Sequence, residues 1–382
     1  MLLTRRGFVG TLGLGTAATV LTGTSLLTSI ASAQTREAAI KGAFDGGIMQ
    51  LNQNESARGP GPNTMKAIHD AISKRVGRGY APDYMRELQD SIASHFDIDT
   101  QHILMSTGSS PILQGTTRAF CSATKPLVTA APSFTTCEQM ARQMGAAVEV
   151  IQVDSSMGIN LDAMVAASDG AGMVYLCNPN NPSGTVHGPD AMERAIRQIL
   201  ARSPDTKILV DEAYIDYVDS AAMKTTVPLM KEFKNVIVAR TFSKAHGMAG
   251  LRIGYGLAHP DTLNEVNLAW GMGDVNMLGA IAALTAFEDV DHIAWERKEN
   301  AEIRGFTVAA LEEMGFSVPV SHTNHIFPNL GRPASEVRAA CMEYKIAVGR
   351  DFPPMQNSNC RISLGSREEM EQAVSVFRKV LS

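Results

Sequence analysis

Cysteine is sparse in this 382-residue chain. The five present, Cys121, Cys137, Cys177, Cys341 and Cys360, are odd in number, widely scattered and without a C-x-x-C pair. That speaks against a disulfide scaffold and a cysteine-built zinc site. It points to buried reduced thiols, and geometry alone decides whether any one pair bridges. Charge of one sign is never concentrated either: there is no Lys/Arg block, and the net charge is −5. A mildly acidic surface without basic clusters argues against nucleic acid or an anionic membrane surface as a partner. Past residue 33 no apolar run approaches the length that spans a bilayer. Internal repeats and low-complexity segments are absent too. A hydrophobic fraction of 45% over this length suits one large or two interlocked domains.

What is there begins with MLLTRRGFVG, followed by a run rich in Gly, Thr and Ala that is too weakly hydrophobic for a good membrane anchor. The run ends in Ala31-Ser32-Ala33 before Gln34. A charged start, an apolar middle and a small-residue end form the layout of a secretory signal peptide over residues 1–33. Arg5 and Arg6, with Phe8 two residues on, resemble the twin-arginine export signal, a receptor-read address used by proteins that are already folded. The expected mature chain runs from Gln34 to Ser382 in the periplasm, and the loss of Arg5 and Arg6 takes its net charge to −7.

Residues 34–63 read as an irregular arm ending in Gly and Pro. Residues 64–77 and 82–96 carry apolar positions at helical spacing, as in Tyr84, Leu88, Ile92 and Phe96. From there short apolar runs (HILMS, PLVTAA, AVEVIQV, GMVYLCN, KILVDEA, NVIVART, RIGYGLA) alternate with amphipathic helical segments. That alternation predicts an α/β domain over 64–285, with a largely parallel sheet and helices on both faces. Past residue 280 a long helical stretch, broken near Asp289–Asp291, leads into short β-rich runs and two more helices. This predicts a smaller α+β domain over 286–382, completed by the arm.

The chemistry is concentrated where the apolar runs end. In TFSKAHGMAGLR, Ser243 and Lys244 follow NVIVAR, at the strand end where open α/β sheets collect ligands. A loop lysine is ordinarily a surface residue. This one has Ser243 beside it and Arg252 eight residues on, a hydroxyl and a cation suited to a phosphate. KILVDEAY puts Asp211 at the end of another run, with Tyr214 three residues later. A carboxylate emerging from a buried strand is costly without a positive partner, although Asp is also a ready N-cap. YLCNPNNPSGT supplies a turn that carries Asn181. MSTGSSPIL ends a strand with Gly108, Ser109 and Ser110 ahead of Pro111. Glycine permits close backbone approach there, and the amides of a helix start favour an anion. AAPSFTT sets Phe134 beyond a further strand end, placed to cover a planar ligand or to fill the core. CRISLGSREE carries Arg361 on a strand and Arg367 just after it. An arginine inside a strand belongs in a pocket when it has an anion to bind. Taken together, these residues supply what pyridoxal phosphate needs: a lysine for a Schiff base, an acid for the pyridinium nitrogen, a ring stacker and an anion cradle.

In their order, GSS, PSF, NPNNPSGT, DEAY, SKA with GLR, and RIS with its glycine resemble the motifs of class I/II, fold-type-I pyridoxal-phosphate aminotransferases. From LNQNESARGPGP to CRISLGSREE the chain is most similar to the histidinol-phosphate aminotransferase branch. The resemblance implies a large domain with a mostly parallel seven-stranded sheet flanked by helices, plus the smaller domain. It implies Lys244 as the catalytic residue, Asp211 on the ring nitrogen, Asn181 and Tyr214 on the phenolate oxygen, and Phe134 stacked on the ring. Gly108, Ser109, Ser110, Ser243 and Arg252 would form the phosphate site, with Tyr80 reaching over from a second subunit of a homodimer. Arg361 would clamp the substrate carboxylate, and Asn52 and Asn54 of the arm would close over it. The implied reaction moves an amino group between an amino acid and a 2-oxo acid, with no metal. An amino-acid racemase or lyase on the same scaffold is the alternative, because function lives in the site. Two features depart from the branch's namesake reaction. The lead-in REAAIKGAFDGGIMQ holds only Phe44 as an aromatic, and an export signal does not suit a cytoplasmic biosynthesis. Arg367, His246 and His325 are the candidates for reading the substrate side chain.

Overall fold

The computed structural model describes residues 47–72 and 82–381. The export-signal segment, Phe44 and Tyr80 lie outside the described residues. The arm contributes β1 (Met49–Leu51), and the seven apolar runs each form a strand. These are β2 (Ile103–Ser106), β3 (Leu127–Ala131), β4 (Val148–Gln152), β5 (Met173–Cys177), β6 (Lys207–Asp211), β7 (Val236–Thr241) and β8 (Gly254–Leu257). Three short strands follow: β9 (His325–Ile326), β10 (Ile346–Val348) and β11 (Ile362–Ser363).

Strands β2 to β8 make one sheet in the order β2-β8-β7-β6-β5-β3-β4. All its pairings are parallel except those of β8, which runs antiparallel to both β2 and β7. Every residue of β5 is buried, so its run is continuously apolar rather than alternating. The two-residue period still sorts its side chains. Val174 and Leu176 join one core, under the helices Pro82–Phe96, Pro189–Arg202 and Met277–Glu288. Met173, Tyr175 and Cys177 join the other, under Ser110–Phe120, Thr136–Gln143 and Pro260–Ala269. Edge strand β4 is only half-buried and exposes Glu149, a charge that discourages further strand addition.

The break expected near Asp289 is real and has a local cause. The Asp289 side chain accepts from the His292 amide and so caps the helix Val290–Glu313 immediately after Met277–Glu288. A separate core gathers that helix with Ala334–Met342 and Arg367–Val380 around two small sheets. In one, β1 lies parallel to β10, with Leu51 opposite Val348; in the other, β9 lies antiparallel to β11, with His325 opposite Ser363. The β-rich stretch 316–330 yields only the two strand residues of β9, because Pro319 and Pro328 cannot donate to a ladder. All five cysteines are buried and free. Among the described residues no helix is long and apolar enough to cross a membrane.

Candidate active site

Parallel strands end on one side of their sheet, and the loops leaving β2, β3, β5, β6 and β7 meet there. They deliver Ser109 and Ser110, Phe134, Asn181, Asp211 with Tyr214, and Ser243 with Lys244 to one cavity of about 850 Å³. The C-terminal part supplies another wall, with Arg361 just before β11 and Val348, Gly349, Arg350 and Asp351 at the end of β10. Asn52, Gln53 and Glu55 of the arm line it as well.

Lys244 is half-buried and donates from Nζ to the Gln53 carbonyl at 3.3 Å, with Nζ 5.5 Å from the centre of the Tyr214 ring. Loss of hydration, with Arg361 nearby, pulls its pKa down to about 8, which leaves far more of it as the neutral, nucleophilic amine near neutral pH than a surface lysine has. Asp211 is buried at the end of β6. It accepts from the Tyr175 hydroxyl at 2.9 Å and from the Ala213 amide at 3.2 Å. Burial nonetheless pushes its pKa up to about 6, and among the described residues it has no ion-pair partner. A carboxylate held this way waits for a cation.

The loop after β2 is shaped for an anion. Ser109 stands at the N-cap of Ser110–Phe120 without a side-chain cap bond, and Pro111 occupies the first turn. Gly108 adopts φ +87°, and a Cβ there would collide with the Arg252 guanidinium. Gly254 at the start of β8 meets the Gly108–Ser109 backbone so closely that a side chain would push the loop away. Among the described residues Arg252 donates only to oxygens that carry no charge: Ser243 Oγ at 3.4 Å, and the carbonyls of Ala249 at 2.6 Å and Thr107 at 3.3 Å. Across the cavity, Arg361 is 5% exposed and donates to Asn181 Oδ1 at 2.9 Å and to the Asn52 carbonyl. Its Nε has no hydrogen-bond partner among the described residues. A buried acid without a counter-ion, a cation and hydroxyls at an uncapped helix start, and an activated lysine between them fit pyridoxal phosphate. Arg361 remains free for a carboxylate.

A family model described as aminotransferase class I and II matches residues 46–377. The chain belongs to the class I and II aminotransferases. It is 31% identical over 341 residues to the histidinol-phosphate aminotransferase of Bacillus subtilis, covering 87% of this chain and 92% of that one. It is 32% identical over 340 residues to the aromatic amino acid aminotransferase of Mycobacteroides abscessus, covering 87% and 93%. Among solved structures, the histidinol-phosphate aminotransferase of Sinorhizobium meliloti in complex with pyridoxal-5'-phosphate superposes with a TM-score of 0.79 at 26% identity, covering 87% of this chain and 91% of that one.

Several expected residues take other places in this aminotransferase. Asn54 is fully buried and does not line the cavity. Its side chain is committed to Tyr214, His325 and Ser363, so it supports the wall instead of closing over a substrate. Gly108 also stands behind the lining, where it makes room for Arg252. None of the three candidates for reading a side chain reaches the cavity. Arg367 pairs with Glu371 and covers the Phe306 ring, His246 lies buried against Phe242 and 3.6 Å from Asp216, and His325 is buried behind Tyr214. The residue missed is Arg350. It lines the cavity, stacks 4.5 Å from the centre of the Phe352 ring and has no carboxylate partner among the described residues. Its one signal in the sequence is that KIAVGR, like NVIVAR, ends an apolar run in a cation.

Proposed function

We propose that this aminotransferase holds pyridoxal phosphate on Lys244 and moves an amino group between an α-amino acid and a dicarboxylic 2-oxo acid. The observation that carries it is the pair of guanidinium groups on the cavity wall. Arg361 and Arg350 approach the same Phe352 ring, at 5.0 and 4.5 Å, and neither forms an ion pair with a carboxylate among the described residues. One anionic group on the substrate satisfies Arg361 and a second satisfies Arg350. The named relatives act on histidinol phosphate and on aromatic amino acids, so kinship alone does not select a side chain.

When bound, the cofactor supplies an electron-withdrawing ring that acidifies the α-proton of the amino acid. The chain's own residues do the rest. Asp211 takes the ring nitrogen as its missing cationic partner and keeps it protonated. Ser109, Ser110, Ser243 and Arg252 hold the phosphate, and Phe134 covers the ring. Arg361 fixes the α-carboxylate in two-point contact, which sets which bond at Cα faces Lys244. Lys244 Nζ, about half in its neutral form at pH 8, would be the base placed to take up that proton and hand it back.

The twin arginines and small-residue end of segment 1–33 support export after folding, so that the cofactor is taken up from the cytoplasmic pool first. The resemblance that places Tyr80 on a neighbour's phosphate supports a homodimer.

Steady-state kinetics with a panel of 2-oxo acids test the substrate reading. Arg350→Ala should raise KM for a dicarboxylic acceptor about tenfold or more, with little change for a monocarboxylic one, since a hydrogen bond to a charged group is worth about 1.5–3 kcal/mol. Equal loss for both would overturn it. Release of the D-enantiomer from an L-amino acid in deuterated water, with no 2-oxo acid added, would instead favour a racemase.

A further inference from the structure

Behind Tyr214 lies a buried polar cluster that the transfer reaction, as described above, does not use. His325 on β9 and Ser363 on β11 are register partners, and both are essentially inaccessible to water. Between them and Tyr214 sits the side chain of Asn54. Its Nδ2 is 2.9 Å from Tyr214 Oη and 2.9 Å from His325 Nδ1, and its Oδ1 is 2.7 Å from Ser363 Oγ.

The proton positions follow from donor and acceptor arithmetic. Ser363 Oγ accepts from the Asn54 backbone amide at 2.9 Å, so its own proton goes to Asn54 Oδ1. That orients the Asn54 amide group with Nδ2 towards the other two partners. An amide nitrogen only donates, so its two protons go to Tyr214 Oη and to His325 Nδ1. His325 Nδ1 is therefore an acceptor, and the ring proton sits on Nε2. The Thr323 hydroxyl, also 2.9 Å from Nδ1, serves either protonation state and decides nothing. Among the described residues no partner meets hydrogen-bond geometry at His325 Nε2, and the Asn180 backbone nearby favours a proton on the ring, in keeping with an Nε2–H tautomer that leaves Nδ1 as the acceptor. Burial, with Arg361 and Lys244 close by, holds the ring neutral. A Tyr214 hydroxyl that accepts from Asn54 has its own proton free to point into the cavity it lines.

We propose that His325 is a positioning residue that, through Asn54, fixes Tyr214 Oη as a hydrogen-bond donor to the cofactor's ring oxygen beside Lys244. This rests on the reading of the cavity as the pyridoxal-phosphate site. Without an acceptor at Nδ1 the Asn54 amide loses one of the two contacts that orient it. Tyr214 is then free to rotate its proton elsewhere. The ring oxygen, less stabilised as an anion, holds more tightly the proton it shares with Lys244 Nζ.

The readout is the pH at which the visible absorption band of the loaded enzyme shifts, measured for wild type and variants, with thermal unfolding as a check on folding. His325→Leu removes the acceptor and should move the transition up by about one pH unit, the scale of one hydrogen bond to a charged atom. His325→Asn, whose side-chain oxygen reaches the place of Nδ1, should restore it to within a few tenths of a unit. Tyr214→Phe should shift it in the same direction, and adding His325→Leu to Tyr214→Phe should add nothing. A shift with Tyr214→Phe but none with His325→Leu overturns the role of His325. No shift with Tyr214→Phe overturns the reading of the cavity itself. If His325→Leu does not fold, His325→Gln carries the same expectation, because its amide reaches the place of Nε2 and leaves that of Nδ1 empty. An unchanged transition in that variant overturns the proposal equally.

Discussion

Lys244 and Asp211 are moved in opposite directions by the same cause. Withdrawal from water favours the neutral form of each, bringing the lysine down to about 8 and the carboxyl up to about 6. Cofactor attachment needs the amine unprotonated, so the rate at which apoprotein develops the visible band should climb with pH and flatten above about 8. Ring-nitrogen pairing needs the carboxylate, so affinity for pyridoxal phosphate should fall as pH drops through about 6. Asp211→Asn should weaken binding about tenfold or more, on the roughly 1.5–3 kcal/mol scale of a charged hydrogen bond, and abolish that fall. Dissociation constants across the pH range check both. A carboxyl raised from 3.8 to about 6 contributes stability to the empty protein below 3.8, and that contribution is lost as pH rises through about 6. Bound cofactor should remove this loss in thermal unfolding. At this scale the polar strand-end residues that meet in the cavity were legible, because chemistry restricts the choice of side chain at each strand end. Arg350 and His325 were not, since nothing in a lone arginine or histidine says what it faces.

The arm is the element on which the site depends most. Three successive residues each reach a different site group: the Asn52 carbonyl meets Arg361, the Gln53 carbonyl meets Lys244, and the Asn54 side chain meets Tyr214. Asn54 manages this at φ +56°, a left-handed conformation that asparagine tolerates better than most residues. Further on, Gly247 of the lysine loop, at φ +67°, abuts the Gly59 backbone so closely that any side chain would lift the arm. The arm is anchored by Arg58, which forks onto the fully buried Glu296 carboxylate; Ser56 and Tyr217 each donate to the same group at 3.2 Å. Glu296→Gln should cost roughly 2–3 kcal/mol in urea unfolding, because it leaves a largely buried guanidinium short of its counter-charge. It should also lower transaminase activity by loosening the arm. The strands of the large sheet and the break at Asp289 read correctly from periodicity, whereas the helix expected over 64–77 is Pro62–Ala71, with extended backbone at Ile72. The short strand β9 did not read correctly either, because two prolines limit pairing where composition alone suggests more.

For the whole molecule, the proposed homodimer makes a complementation test available. If Tyr80 reaches the partner's phosphate, mixing Lys244→Ala subunits with Tyr80→Phe subunits should recover activity that neither shows alone, since each mixed dimer holds one intact site. Activity no higher than the sum of the separate variants would contradict shared sites. Fractionation of cells carrying Arg5→Lys, Arg6→Lys should show the folded, cofactor-loaded protein retained inside; unchanged export would contradict twin-arginine recognition.

By itself the sequence determined the sheet, its buried strands and the cofactor chemistry, because burial on both faces forces continuous apolar runs and because a lysine, an acid and an anion cradle are needed one after another at strand ends. Only the tertiary structure decided which of the scattered polar residues face the substrate and which stand behind the wall. Asn54 and Arg361 are 307 positions apart, and His325, Ser363 and Tyr214 come from three separate strands or loops. Their roles are set by which donor meets which acceptor once the arm has folded onto the sheet ends, and no local pattern along the chain carries that information.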